Sequence, residues 1–245
     1  MRGTMRHGLF VPPFRARNPP VTHIPPARAD HAWLRHRMSA GRRPPSLVDG
    51  DFREPHDRSP YRPAAVLVPL VERDNGLTIL LTRRTAHLRD HAGQISFPGG
   101  RVEPDDESTA HTALREAAEE IGLAADRVEL LGNLDDHTTA TGFRITPVVG
   151  LVHQPFELVL DAFEVDEVFE LPLEHLFEPA NLQCNRIFQS GRMHDYYAFP
   201  WRGHYIWGAT ASMLRNLCGL LLDTAPPFSA VRADGLPEPH QPIKT

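Results

Sequence analysis

FPGGRVEPDDESTAHTALREAAEEIGL, residues 97–123, is the stretch on which the fold turns. Its second half sets Glu116, Glu119 and Glu120 at i, i+3, i+4. At about 100° per residue this spacing predicts one shared side of a helix. Like charges so placed repel by roughly a few tenths of a kcal/mol per pair, so the arrangement asks for an offsetting partner or open solvent. Asp105, Asp106 and Glu107 precede Ser108. Acids there meet the positive end of the helix dipole, and Asp106 or Ser108 can serve as N-cap. Gly122 fits a left-handed C-terminal cap with Leu123 as its apolar companion. These signals predict a helix from about Glu107 to Ile121. Ala110, Ala113, Leu114, Ala117 and Ile121 form its sheet-facing stripe. The three glutamates are expected on roughly the opposite face, exposed or lining a cleft.

Spacing alone leaves two readings of those glutamates. One is a solvated charged face. The other is a site for hard divalent cations such as Mg²⁺, which favour carboxylate oxygens and share their shell with phosphates. Gly99-Gly100 just ahead leaves bare backbone, where a carbonyl reaches a metal or an amide reaches a phosphate. Arg115, about two turns from Glu107, can tie the loop to the helix.

Working outward, Ala64–Val71 (AAVLVPLV) is a nearly unbroken apolar run, as in a strand covered on both faces. Asn75-Gly76 reads as a hairpin turn and Leu77–Thr82 as the returning strand. Val128–Asp135, Ile145–Val152 and Val165–Leu171 read as further strands, the last stopped by Pro172. Tyr196–Phe199 reads as a short one. Gly208–Leu222 has helical spacing, with Ala211, Leu214, Leu217, Cys218 and Leu221 as its stripe. Strands between helices predict an α/β layered fold. Residues 1–45 hold nine arginines against one acid, Asp30, and four Pro-Pro pairs. An extension over 1–59 is expected to be partly disordered and dispensable rather than an anion-attracting tail. It carries one short helix, Asp30–Ser39, capped by Asp30, with Trp33, Leu34 and Met38 on its apolar side. The folded domain is expected over 60–223, followed by a Pro-rich tail over 224–245.

Hydrophobic residues at 41% and charged residues at 23% describe an ordinary globular composition. A net charge of −5 argues against a nucleic-acid binder driven by bulk charge. Two cysteines, Cys184 and Cys218, support neither a disulfide framework nor a Cys-based zinc site, so a reducing compartment is expected. No apolar run approaches the roughly 20 residues of a membrane helix, and no secretory signal or C-terminal address is legible. A cytoplasmic protein without nucleic-acid or membrane partners is the expectation. Oligomeric state is not legible.

The opening stretch resembles the Nudix box: Gly100, five residues, Asp106, eight residues, then Arg115-Glu116-Ala117-Ala118-Glu119-Glu120-Ile121-Gly122-Leu123. Asp106 stands where Glu is usual, and one extra residue precedes Arg115. Both departures occur in the coenzyme A pyrophosphatase branch. That branch has a second motif upstream, here LLTRRTAHLRDHAGQISFPGG, Leu80–Gly100. It matches at Leu80, Leu81, Thr82, Arg84, Arg89, Gly93 and Phe97–Gly100, with Thr85 where Ser or Ala is more usual. Thr139–Phe143, Glu164–Leu173 and Ile206–Thr210 also look like this branch, so the resemblance spans roughly residues 60–222.

The resemblance implies an α/β/α sandwich with a mixed central sheet. It also implies Mg²⁺- or Mn²⁺-dependent hydrolysis of coenzyme A or its thioesters. The products are 4′-phosphopantetheine, or its acyl form, and adenosine 3′,5′-bisphosphate. Glu116, Glu119 and Glu120 are the expected metal carboxylates, with Glu116, Glu119 and Arg115 as the catalytic set. A general base is open between Glu116 and a loop glutamate, Glu164 or Glu167. Arg84 and Arg89 are expected at substrate phosphates, with Gly99 and Gly100 giving close backbone approach. For Arg84 a structural pairing with an acid such as Asp106 is the alternative. His111 is expected at the surface, and His137 in a loop, without a role. Two other functions compete. One is hydrolysis of another nucleoside diphosphate, such as NADH or ADP-ribose. The other is a non-catalytic nucleotide sensor.

Overall fold

In the computed structural model the described residues are 29–39, 60–88, 91–189 and 192–222. The long apolar run becomes β1 (Arg62–Arg73), buried continuously from Ala64 to Val71. A two-residue turn leads into β2 (Gly76–Arg84). The turn is Asp74-Asn75 rather than Asn75-Gly76, because Arg73 pairs with Gly76 and the glycine opens the returning strand at φ 115°. Short strands β3 (Ile95–Ser96) and β4 (Gly99–Arg101) follow, then α2 (Thr109–Ile121). Next come β5 (Val128–Asn133), β6 (His137–Thr138), β7 (Phe143–Val152) and β8 (Val165–Pro172). β9 (Gln183–Gln189), β10 (Arg192–Trp201), β11 (His204–Trp207) and α3 (Ala209–Leu222) complete the described chain. Ahead of them all, α1 spans His31–Ser39.

The main sheet runs β3-β2-β1-β7-β5, with β4 beside β1, β6 beside β7 and β8 beside β2. It is mixed: β1 and β7 are parallel over ten residue pairs, and the other pairings are antiparallel. Alternation along β1 explains why both faces are apolar. Val66, Val68 and Leu70 join the core beneath α1 and α3, whereas Ala65, Leu67 and Val71 join the one beneath α2. The result is an α/β/α sandwich, with β9–β11 as a second, three-stranded sheet.

α1 forms where its cap signal puts it. Asp30 Oδ1 accepts the Trp33 amide at 2.8 Å, and Leu34 is fully buried in the core shared with α3. Burying one leucine contributes about 2 kcal/mol, which explains how so short a helix holds its place. Most of the predicted N-terminal extension, and the whole predicted C-terminal tail, lie outside the described residues. The strands expected at Val128–Asp135 and Tyr196–Phe199 are Val128–Asn133 and Arg192–Trp201. β3, β4, β6, β9 and β11 have no clear periodicity in the sequence. Four of the five are two to four residues long.

Candidate active site

α2 begins at Ser108, whose hydroxyl accepts the His111 amide at 3.1 Å, and not at Asp106. It ends in left-handed Gly122 (φ 68°), with the Gly122 amide on the Ala118 carbonyl and the Leu123 amide on that of Ala117. Asp106 is instead the anchor for Arg115. The guanidinium donates to both carboxylate oxygens at 3.1 Å, to the Arg101 carbonyl at 3.1 Å and to Glu119 Oε2 at 3.0 Å. It also lies 3.1 Å from Glu116 Oε1. Asp106 accepts the Thr112 hydroxyl and the Glu103 amide as well. This guanidinium holds the Asp106 carboxyl well below the usual carboxylate range, and Asp106 raises Arg115 in turn. Arg115 thus ties the loop to the helix through Asp106 and Arg101 rather than through Glu107.

β4 pairs with β1, setting Gly99 beside Val66 and Gly100 beside Ala65. Close approach of β1 backbone requires Gly99, and Gly100 leaves room for the Glu116 carboxyl. A Cβ on Gly100 would lie 2.5 Å from Glu116 Cδ, and one on Gly99 2.6 Å from Val66 Cα. The Gly99 amide points at Glu120 Oε2, at 3.3 Å.

Glu120 departs most from expectation. It is 5% exposed, on the packed face of α2 rather than opposite it. The geometry is simple: at about 100° per residue, Glu120 lies only about 20° from Ala113 around the helix axis. Ala113 is itself fully buried. Burial pushes the Glu120 carboxyl up to about 8, against the lowering effect of Arg84 and the Gly99 amide, with Glu116 and Glu164 adding to the rise. Burial also raises Glu116, although Arg115 opposes it. Glu119 sits elsewhere, its side chain 60% exposed and turned onto Arg115.

Arg84, at the end of β2, lies 3.6 Å from Glu120 and 3.6 Å from Glu164. It faces the site rather than Asp106. Arg89 lies outside the described residues. Glu164 is carried by a loop fastened on both sides. The Asp161 amide bonds the Glu120 carbonyl, the Thr85 amide bonds the Glu164 carbonyl, and the Thr85 hydroxyl bonds the Phe163 carbonyl. Thr85, a minor departure in the motif, is therefore a fastening for Glu164. Glu167 pairs with Arg83 at 2.8 Å and His204 at 3.3 Å. His111 is exposed as expected. His137 is fully buried in β6 rather than in an open loop.

Glu116 and Glu120 therefore flank the Gly99-Gly100 backbone, and Arg84 lies between Glu120 and Glu164. Among the described residues, no three acidic, histidine or cysteine side chains stand close enough to grip an ion as placed. The donor chemistry nevertheless fits a hard divalent cation. Among the described residues, the buried Glu120 carboxyl has one long amide contact and an arginine beyond hydrogen-bond reach, so its ionised form is under-compensated.

Comparison with known proteins identifies the family. The family described as NUDIX domain matches residues 60–187. Proteins named "Uncharacterized Nudix hydrolase NudL" from Yersinia pestis (strain Pestoides F) and Yersinia pseudotuberculosis serotype O:1b are each 42% identical over 156 residues. That match covers 64% of this chain and 78% of theirs. Among solved structures, RenU, a Nudix hydrolase from M. smegmatis, aligns with 48% of this chain and 74% of its own. Its identity is 21% and its TM-score 0.41. The chain belongs to the Nudix hydrolase superfamily, in its NudL-like branch.

Proposed function

We propose that the protein hydrolyses the diphosphate bond of coenzyme A or a coenzyme A thioester, using Mg²⁺ or Mn²⁺. The observation that carries this reading is the buried, under-compensated Glu120 beside Arg84 and the bare Gly99-Gly100 backbone. A site so built suits a cation and an anionic diphosphate together. The Leu80–Gly100 motif, which supplies Arg84, Gly99 and Gly100, favours coenzyme A within the family.

Glu116 and Glu120 would hold the cation, with Glu119 on the same helix as the third carboxylate. A bound divalent ion supplies neutralisation of the diphosphate and a lowered pKa for a bound water. Arg84 presents its guanidinium to the diphosphate oxygens. Arg115 acts by position, holding the 101–106 loop against α2 so that Gly100 stays beneath Glu116. A proton leaving the attacking water goes to Glu164 or Glu116. Glu164 is favoured over Glu167, because it shares the electrostatic environment of Glu116 and Glu120, whereas Glu167 is held by Arg83 and His204. Neither cysteine forms a disulfide, which suits a cytoplasmic setting. No helix among the described residues is long and apolar enough to cross a membrane.

The test is a substrate panel. Coenzyme A, acetyl-coenzyme A, NADH and ADP-ribose are incubated separately with protein and Mn²⁺ or Mg²⁺, and products are separated by chromatography. Adenosine 3′,5′-bisphosphate from the first two is the expected outcome. Turnover of NADH or ADP-ribose alone overturns the substrate, and binding without turnover of any compound overturns the enzyme in favour of a sensor.

A further inference from the structure

At the N-terminal end of β1, positive charge gathers across the sheet from the glutamate helix. Arg62 stands beside Phe143 in the β1–β7 register, and Ala64 stands beside Arg101 in β4. Residues paired across a sheet share a face. Val66, next along that face, belongs to the core beneath α1 and α3, whereas Ala65 and its partner Gly100 face α2. Arg62, Arg101 and Phe143 therefore project away from α2.

The Arg62 guanidinium carbon lies 4.0 Å from the centre of the Phe143 ring, and that of Arg101 lies 5.4 Å from it. Both arginines are exposed. Arg62 donates to the Thr141 carbonyl at 3.0 Å. Among the described residues no carboxylate pairs with either guanidinium, although Arg73, Arg83, Arg84 and Arg115 each have one. Two like charges on one ring repel, and a dianion between them removes that cost. The guanidinium fork matches phosphate oxygens in geometry as well as charge, and the ring fixes where the forks sit.

Position links this pair to the site. Arg101 follows Gly100 directly, so the two Cα atoms are about 3.8 Å apart. Gly100 faces Glu116, and Arg101 faces the opposite way. β4 pairs with β1 along one edge, and among the described strands none pairs along the other. One residue step along β4 therefore separates the glutamate side of the sheet from the arginine side. We propose that Arg62 and Arg101, stacked on Phe143, form a subsite for a phosphate monoester borne on the ribose next to the scissile diphosphate. The proposal rests on the coenzyme A reading and names the residues that recognise its 3′-phosphate. Arg84, already facing two carboxylates, is left for the diphosphate itself.

The experiment measures KM for coenzyme A and for dephospho-coenzyme A, with Mn²⁺, in the parent, Arg62→Gln, Arg101→Gln, the double variant and Arg84→Gln. The parent should prefer coenzyme A. Each single variant should reduce that preference about tenfold, and the double variant should abolish it. Arg84→Gln should weaken both substrates alike. Inhibition of dephospho-coenzyme A turnover by adenosine 3′,5′-bisphosphate against AMP gives a second readout, with the same ordering expected. A double variant that keeps the parent's preference overturns the subsite and leaves the coenzyme A reading intact. So does a preference lost only in Arg84→Gln. A parent that cleaves neither compound overturns the proposed function, and the subsite with it.

Discussion

Glu120→Gln should stabilise the metal-free protein while ending its response to metal. Folded Glu120 titrates at about 8 against an ordinary 4.5, because its carboxylate is buried. A carboxyl raised on folding favours the folded state below pH 4.5, and that advantage drains away as pH rises towards 8. The interval is roughly 3.5 pH units at about 1.4 kcal/mol each, or about 5 kcal/mol once the group is fully ionised. At pH 7 the group still holds its proton, and the loss is about 3 kcal/mol. Glutamine keeps the Gly99 hydrogen bond and cannot ionise. In EDTA at pH 7 the variant should therefore melt about 6–12 °C above the parent, with little difference at pH 5. With Mn²⁺ the parent should rise and the variant should not. Calorimetry across pH 5–8 reads both effects. A variant that melts below the parent at pH 8 in EDTA, or a gap that does not change with pH, refutes the reasoning.

Other consequences follow from the same contacts. Divalent-ion affinity of the parent, measured by titration calorimetry, should strengthen with pH up to about 8, because the ion competes with the Glu120 proton. Gly100→Ala should cost activity far more than melting temperature, since the new methyl displaces the Glu116 carboxyl, while Gly99→Ala should lower both because its methyl meets β1 backbone. Glu164→Gln should lower kcat by about 10²–10⁴ with modest change in KM, and Glu167→Gln by only a few-fold. Comparable losses in the two would remove Glu164 from the base position. Arg115→Ala should lower the melting temperature by releasing the loop, with the Asp106 contribution present above the ordinary carboxylate range and lost as pH falls below it.

The layered fold was legible because its long elements obey simple rules. β1 is apolar on both faces, and α2 and α3 keep their stripes. The three glutamates of α2 were legible by type and spacing, but the burial of Glu120 was not. Reading Glu116, Glu119 and Glu120 as one face opposite the sheet, exposed or lining a cleft, overlooked that i, i+4 turns about 40° past a full circle and carries Glu120 towards Ala113. Asp106 was visible as an acid before the helix. That it pairs with Arg115, leaving the cap to Ser108, depends on how the 101–108 loop folds back. β4 is defined by its pairing with distant β1, and β3 and β6 are two residues each, too short to show an alternation. Glu164 was legible as a candidate, but its fastening to Thr85 was not, and Arg62 acquires its place beside Phe143 from a strand remote in sequence.

The most direct test of the central claim joins metal, residue and bond in one assay. Coenzyme A is incubated with parent protein and with Glu120→Gln, in Mn²⁺ and in Mn²⁺ with excess EDTA, and products are weighed by mass spectrometry. The expected result is 4′-phosphopantetheine and adenosine 3′,5′-bisphosphate from the parent with Mn²⁺ alone. Equal yields of those products in EDTA, or from Glu120→Gln, would contradict the account.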